Sequence, residues 1–173
     1  MKKLLIGIFF LGLTNLAFAQ ASSEERGTLE LEGITVMPAN MAYYTNVLNG
    51  GIKALKVLEL QKIVASFDIT TSSIYDGKNR RYHFEFNHKD GNVSTTFNGN
   101  GRIMKSFERY KNIAFPLTVR NSIYKAFPGW SAEANTYIVS YNSGQDAKKV
   151  LKVKLKKEGE TKRIKVNTQG RIL

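Results

Sequence analysis

The sequence predicts an α+β protein in which the order helix, strand, strand, strand occurs twice. Three observations carry this expectation: apolar spacing that switches between helical and alternating periods, turn residues at the boundaries, and a short motif repeated late in each half. The 173 residues are 42% hydrophobic, enough for one domain, or two small ones, with a packed core. Lys and Arg number 26 against 14 Asp and Glu, a formal charge of +12, and there is no cysteine. Disulfide frameworks, thiolate metal sites and cysteine nucleophiles are thereby excluded.

Residues 1–19 read as a signal peptide. Lys2 and Lys3 supply a positive start, residues 4–13 are an apolar run, and Ala17-Phe18-Ala19 is the small-x-small pattern expected ahead of cleavage before Gln20. The run falls short of the roughly 20 apolar residues that cross a bilayer, and no later segment spans one, so a secreted or periplasmic protein with no transmembrane segment is expected. Residues 20–49 form an N-terminal arm. Its first part, 20–27, is polar and frayed, while 29–36 reads as one strand, interrupted at Gly33 and ended by Pro38.

Residues 50–104 read as the first unit. Ile52, Leu55, Leu58 or Glu59, Ile63 and Val64 fall near helical spacing, with Lys53, Lys56 and Lys62 left for solvent, which predicts a helix ending near Ser66. Three extended runs follow. Residues 67–75 end at the turn signal Asp76-Gly77; residues 81–88 set Tyr82, Phe84 and Phe86 on one face; residues 93–98 continue that face with Val93, Thr95 and Phe97. A polar connection over 105–112 leads to the second unit, 113–173. There Pro116 suits the first position of a helix over 116–127, Pro128-Gly129 stops it, and Val119, Ile123, Ala126 and Phe127 form its apolar stripe. Strands are expected at 130–141, 149–157 and 161–167.

The repetition is also written in residues. Asn98-Gly99-Asn100-Gly101-Arg102-Ile103-Met104 matches Asn167-Thr168-Gln169-Gly170-Arg171-Ile172-Leu173. Each copy follows a charged turn, Lys89-Asp90-Gly91 or Lys157-Glu158-Gly159, and each helix closes on Phe and a breaker, Phe67-Asp68 or Phe127-Pro128. These landmarks in the same order point to duplication. With Phe115-Pro116, Phe127-Pro128-Gly129-Trp130, the lysine-rich hairpin and the closing Asn167-x-x-Gly170-Arg171-Ile172-Leu173, the chain from about residue 50 to 173 resembles the PepSY-like, beta-lactamase-inhibitor-like secreted proteins of the Bacteroidetes. The resemblance implies two tandem helix-plus-three-strand units forming one antiparallel sheet, with the helices on one face. It also implies a protein-binding or inhibitory shape, and it transfers no functional residue.

Catalytic and metal chemistry finds little footing. His83 and His88 are five apart on one strand, so alternation sends them to opposite faces and they share no metal. Gly99-Asn100-Gly101 opens like a dinucleotide fingerprint, but Met104 stands where the third glycine belongs. Gly129-Trp130-Ser131 lacks the final glycine of a nucleophile elbow. A nicotinate-nucleotide adenylyltransferase reading needs a His-x-Gly-His-type phosphate site, and no glycine separates Tyr82-His83-Phe84-Glu85 from Asn87-His88-Lys89-Asp90. We therefore expect no catalytic residue, metal or cofactor.

The basic excess is concentrated in the last hairpin. Alternation turns Leu151, Val153 and Leu155 inward and Lys152, Lys154 and Lys156 outward; on the partner strand Ile164 and Val166 point in, Arg163 and Lys165 out. Lys152, Lys154, Lys156, Arg163 and Lys165 are the candidate binding residues. Their partner is an acidic protein surface or an envelope polyanion, unless the face serves only solubility and edge protection. Nucleic acid is disfavoured by secretion and by the lack of interleaved aromatics. Tyr43, Tyr44, Tyr110, Trp130, Tyr137 and Tyr141 are core candidates, and any exposed on the open sheet face would be interface anchors.

Overall fold

The computed structural model describes residues 35–78 and 81–173. The signal peptide, the segment 20–27 and most of the strand expected at 29–36 lie outside them; Thr35 and Val36, the last two residues of that strand, are not in one. The described residues form an α+β fold of three helices on a six-stranded antiparallel sheet.

The arm expected to hold only a strand contains helix α1 (Met41–Leu48), entered through the short 3-10 turn Pro38–Asn40. Tyr43 and Val47, four residues apart, are its buried stripe. Helix α2 (Leu55–Ser66) buries Val57, Leu60, Gln61, Val64 and Ala65, spaced at one to four residues along one face. It starts later than expected, with Ile52 buried ahead of it in an extended lead-in. Its stripe is a correction: Leu55 and Ile63, expected on the apolar face, are exposed, because the face that meets the sheet runs through Val57, Leu60 and Val64.

Residues 67–75 are a correction: they form no strand. Asp68 Oδ1 accepts from the backbone N–H of Thr70 (2.9 Å) and from its hydroxyl (2.8 Å), and the Thr71 hydroxyl donates to Asp68 O at 2.8 Å. These short-range bonds hold a 3-10 turn at Ile69–Thr71 in a stretch whose β-branched content suggested extension. Strands β1 (Arg81–His88) and β2 (Gly91–Asn98) follow as a hairpin. The connection expected at 105–112 is the second correction, because strand β3 (Ile103–Lys111) occupies it. Its inward positions are Ser106, Glu108 and Tyr110 and an outward one is Phe107, so the hydrophobic alternation that marks a strand is reversed.

Helix α3 (Leu117–Ala126) buries Val119 and Ile123, whereas Ala126 is exposed and Phe127 half-buried, which narrows the expected stripe. Strands β4 (Ser131–Asn142), β5 (Lys148–Lys157) and β6 (Glu160–Val166) lie close to their expected bounds. Positive φ at both Glu158 (47°) and Gly159 (89°) makes the β5–β6 link the mirror-image turn that matches strand twist. The sheet order is β1-β2-β3-β4-β5-β6. Buried residues of all three helices join Val93, Phe97, Tyr110, Tyr137, Leu151, Leu155 and others in one hydrophobic cluster. The helices therefore cover one face of the sheet, and among the described residues none covers the other.

The repeated motif folds twice into the same turn. Asn98 Oδ1 accepts from the N–H groups of Asn100 and Arg102 at 3.0 and 2.9 Å, as Asn167 Oδ1 does from Gln169 and Arg171 at 3.1 and 2.8 Å. In both, the asparagine N–H donates to the arginine carbonyl at 2.9 Å and Gly101 or Gly170 donates back to the asparagine carbonyl. The pair Phe97 and Ile103, which opens the β2–β3 ladder, has its counterpart in the bridge between Val166 and Ile172.

Candidate binding face

The five cationic residues expected to point outward all do so, on the helix-free face of β5 and β6. Leu151, Val153, Leu155 and Val166 are buried opposite them, and Ile164 is half-buried. The register sets Lys152 directly across from Lys165 and Lys154 across from Arg163. Such like-charge pairs disfavour strand pairing by about 0.2–1 kcal/mol each.

The structure divides these cations into two groups. A bulge in β4 between Ala132 and Ala134 turns Glu133 toward β5, where its carboxylate accepts from Lys154 Nζ at 2.6 Å and lies 3.7 Å from Lys156 Nζ. The Lys154 hydrogen bond holds the Glu133 carboxyl below its usual range. Lys152, Arg163 and Lys165 have no such partner among the described residues. With Ala134 and Thr136 they line a shallow concavity of about 400 Å³. Glu133 was not visible as a partner in the sequence, because the bulge that aims it depends on how β4 pairs with β5.

The same face carries an aromatic that the sequence reading passed over. Tyr43, Tyr110, Tyr137 and Tyr141 are buried, and Tyr44 and Trp130 are half-buried against the core. Phe107, in the strand read as a connection, is 44% exposed near the middle of the helix-free face. Its cross-strand neighbours are Ser94 and Ser140, too short to cover the ring, and the Arg109 guanidinium stands 6.0 Å from the ring centroid. Arg109 pairs across to Ile138, which is buried, and Ile138 to Val150. An apolar centre thus lies beside the cationic rim.

Elsewhere, polar groups are committed to structure. Glu108 is fully buried and accepts from Tyr43 Oη (2.8 Å), Gln61 Nε2 (2.7 Å), Tyr110 Oη (2.8 Å) and Ser106 Oγ (3.3 Å). Burial raises its carboxyl above the ordinary range, against the lowering pull of those four donors. A polar cleft of about 350 Å³ lies beside Asn46, Asp146, Lys149 and Gln169. Lys149 Nζ donates there to Asn46 O (2.9 Å) and Ala147 O (3.4 Å), and burial lowers its ammonium below the usual lysine range. His83 Nδ1 is 3.1 Å from the Thr96 hydroxyl on the outer face, and His88 ends β1. Among the described residues, no three His, Cys, Asp or Glu gather as a metal site, and no helix is long and apolar enough to cross a membrane.

No family model matches the chain, and no curated protein matches it. Among solved structures it is similar to the crystal structure of a DUF2874 family protein from Bacteroides ovatus ATCC 8483. Identity is 15%, the match covers 56% of this chain and 68% of that one, and the TM-score is 0.34. At that degree of overlap the likeness decides nothing about site or activity.

Proposed function

We propose that this protein is a secreted or periplasmic, non-enzymatic binding module of two PepSY-like units, engaging a protein through the outer face of its sheet. The observation that carries the reading is Phe107, an exposed aromatic beside Arg109 on a helix-free face, next to unpaired cations. Aromatic and arginine side chains at the centre of a patch are the usual energetic anchors of protein interfaces. The twofold unit is supported by the two identical asparagine turns and by an element order of helix then three strands in each half. Secretion rests on residues 1–19. Expressed with its leader, the protein should have an intact mass that places Gln20 first; a product retaining Met1 would remove the compartment from the proposal.

A second reading, binding of an envelope polyanion, is favoured by the row of Lys152, Arg163 and Lys165 without carboxylate partners. One experiment addresses both. Capture from periplasmic extract should be salt-sensitive for the parent and weaker, with a flatter salt dependence, for the triple variant Lys152→Gln, Arg163→Gln, Lys165→Gln. The double variant Lys154→Gln, Lys156→Gln should change capture much less, because Glu133 already engages those two ammonium groups. The triple variant should melt no lower than the parent, since cross-strand repulsion is relieved. Equal capture by parent and triple variant would return the patch to a solubility role.

A further inference from the structure

We infer that the partner of this face is an acidic protein surface that presents a protruding apolar side chain to Phe107; the inference rests on the binding role proposed above and adds the partner's chemistry. Phe107 is exposed among longer cationic side chains. Ser94 and Ser140 flank it across the strands, while Lys105 and Arg109 flank it along β3, with Lys148 beyond Ser140. Those three cations have longer side chains than phenylalanine, so a flat surface meets their charged heads before it reaches the ring. A lipid headgroup layer would therefore engage the charges and leave the ring unused. A convex protein surface can seat one apolar side chain between the serines, against the ring and toward half-buried Val150.

Charge selects the sign of that surface. Lys105, Arg109, Lys148, Lys152, Arg163 and Lys165 face outward without an ion-pair partner among the described residues; against these six cations stand Glu133, occupied by Lys154 and Lys156, and Glu85 on β1, across Ser94 from Phe107. A second copy of the chain, offering the same face, would set mostly cation against cation, with Glu85 the one acid on it not held by Lys154 and Lys156. Carboxylates around the seated side chain complement the rim and speed encounter.

The test is a selection of displayed random dodecapeptides on the immobilised protein, followed by affinity measurement of the enriched peptides with variants. Enriched peptides should carry several Asp or Glu around one large apolar residue. Phe107→Ala should weaken their binding about tenfold or more, while Tyr124→Ala, an exposed aromatic change on α3, should leave it unchanged. Equal melting temperatures for parent and Phe107→Ala establish that the exposed site, and not the fold, has changed. Enriched peptides without an acidic bias, or equal affinity for Phe107→Ala, would overturn the inference and leave a binding role standing. So would an absence of enriched peptides while salt-sensitive capture from extract persists; loss of both would remove the binding role as well. In the last arm, vesicles of three parts phosphatidylcholine to one part phosphatidylglycerol should bind no more than weakly. Tight vesicle binding that Phe107→Ala leaves intact would replace a protein partner by a membrane surface.

Discussion

Replacing Glu108 by alanine should cost about 3–5 kcal/mol, seen as a fall in melting temperature on the order of 10 °C. The carboxylate joins Tyr43 of α1 and Gln61 of α2 to Ser106 and Tyr110 of β3, so it ties two helices to the sheet centre. Truncation leaves a cavity and strands buried donors, each of which costs about 1–3 kcal/mol when unpaired. A loss below 1 kcal/mol would show that the network contributes nothing net to stability. The neutral variant Glu108→Gln tests the charge separately. Burial raises the carboxyl in the folded state, so the native protein holds its proton more tightly than the unfolded chain does. The associated stabilisation is complete below the unfolded value and is lost as pH rises through the folded one. As pH rises from about 4 through the raised folded value, the parent should therefore lose stability relative to Glu108→Gln. Glu133, whose lowered carboxyl has the opposite pH dependence, is present in both proteins and cancels. A parent that gains on the variant over this range would show that the four donors outweigh burial.

The two copies of the asparagine turn should respond very differently to the same change. Gly101 and Gly170 both have positive φ, 73° and 91°, which costs an L-residue about 1–2 kcal/mol. A Cβ at Gly101 meets only Ile69 Cγ1 at 3.7 Å, so Gly101→Ala should lose little beyond that. A Cβ at Gly170 would stand 2.6 Å from Ser122 Oγ and 2.9 Å from the backbone carbonyl of Thr118, both on α3. The serine can rotate away, but the carbonyl moves only with the helix. Gly170→Ala should therefore cost about 2–5 kcal/mol in all, measured by chemical denaturation. Adding Ser122→Ala should recover part of the loss and leave the clash with the Thr118 carbonyl. Equal costs for the two alanine variants would mean that the last turn does not press on α3.

The sequence by itself determined the α+β class, the hairpins from β1 to β2 and from β5 to β6, and the helices α2 and α3 within a few residues. Each rests on short-range information: Tyr82, Phe84 and Phe86 alternate; Val119 and Ile123 recur at four; Lys157-Glu158-Gly159 turns whatever surrounds it. The outward set of Lys152, Lys154, Lys156, Arg163 and Lys165 was legible for the same reason, since alternation fixes the face once Leu151, Val153 and Leu155 are known to be buried. Helix α1 was legible in principle, through Pro38, the Tyr43 and Val47 spacing, and Asn49-Gly50-Gly51 at its end, but it is short enough for its signal to be lost in the polar arm.

Only the tertiary structure decided β3, the charge state of the face and the location of its aromatic centre. Glu108 can point inward because Tyr43 and Gln61 bring donors from 65 and 47 residues away. No local pattern encodes that, and the resulting inversion hid both the strand and Phe107. Glu133 neutralises part of the lysine row because a bulge in β4 re-aims it, and a bulge is a property of paired strands, not of either alone. Short-range periodicity specifies which residues prefer a face. Which polar group is tolerated inside, and which charge remains free outside, depends on partners that only the folded chain brings together.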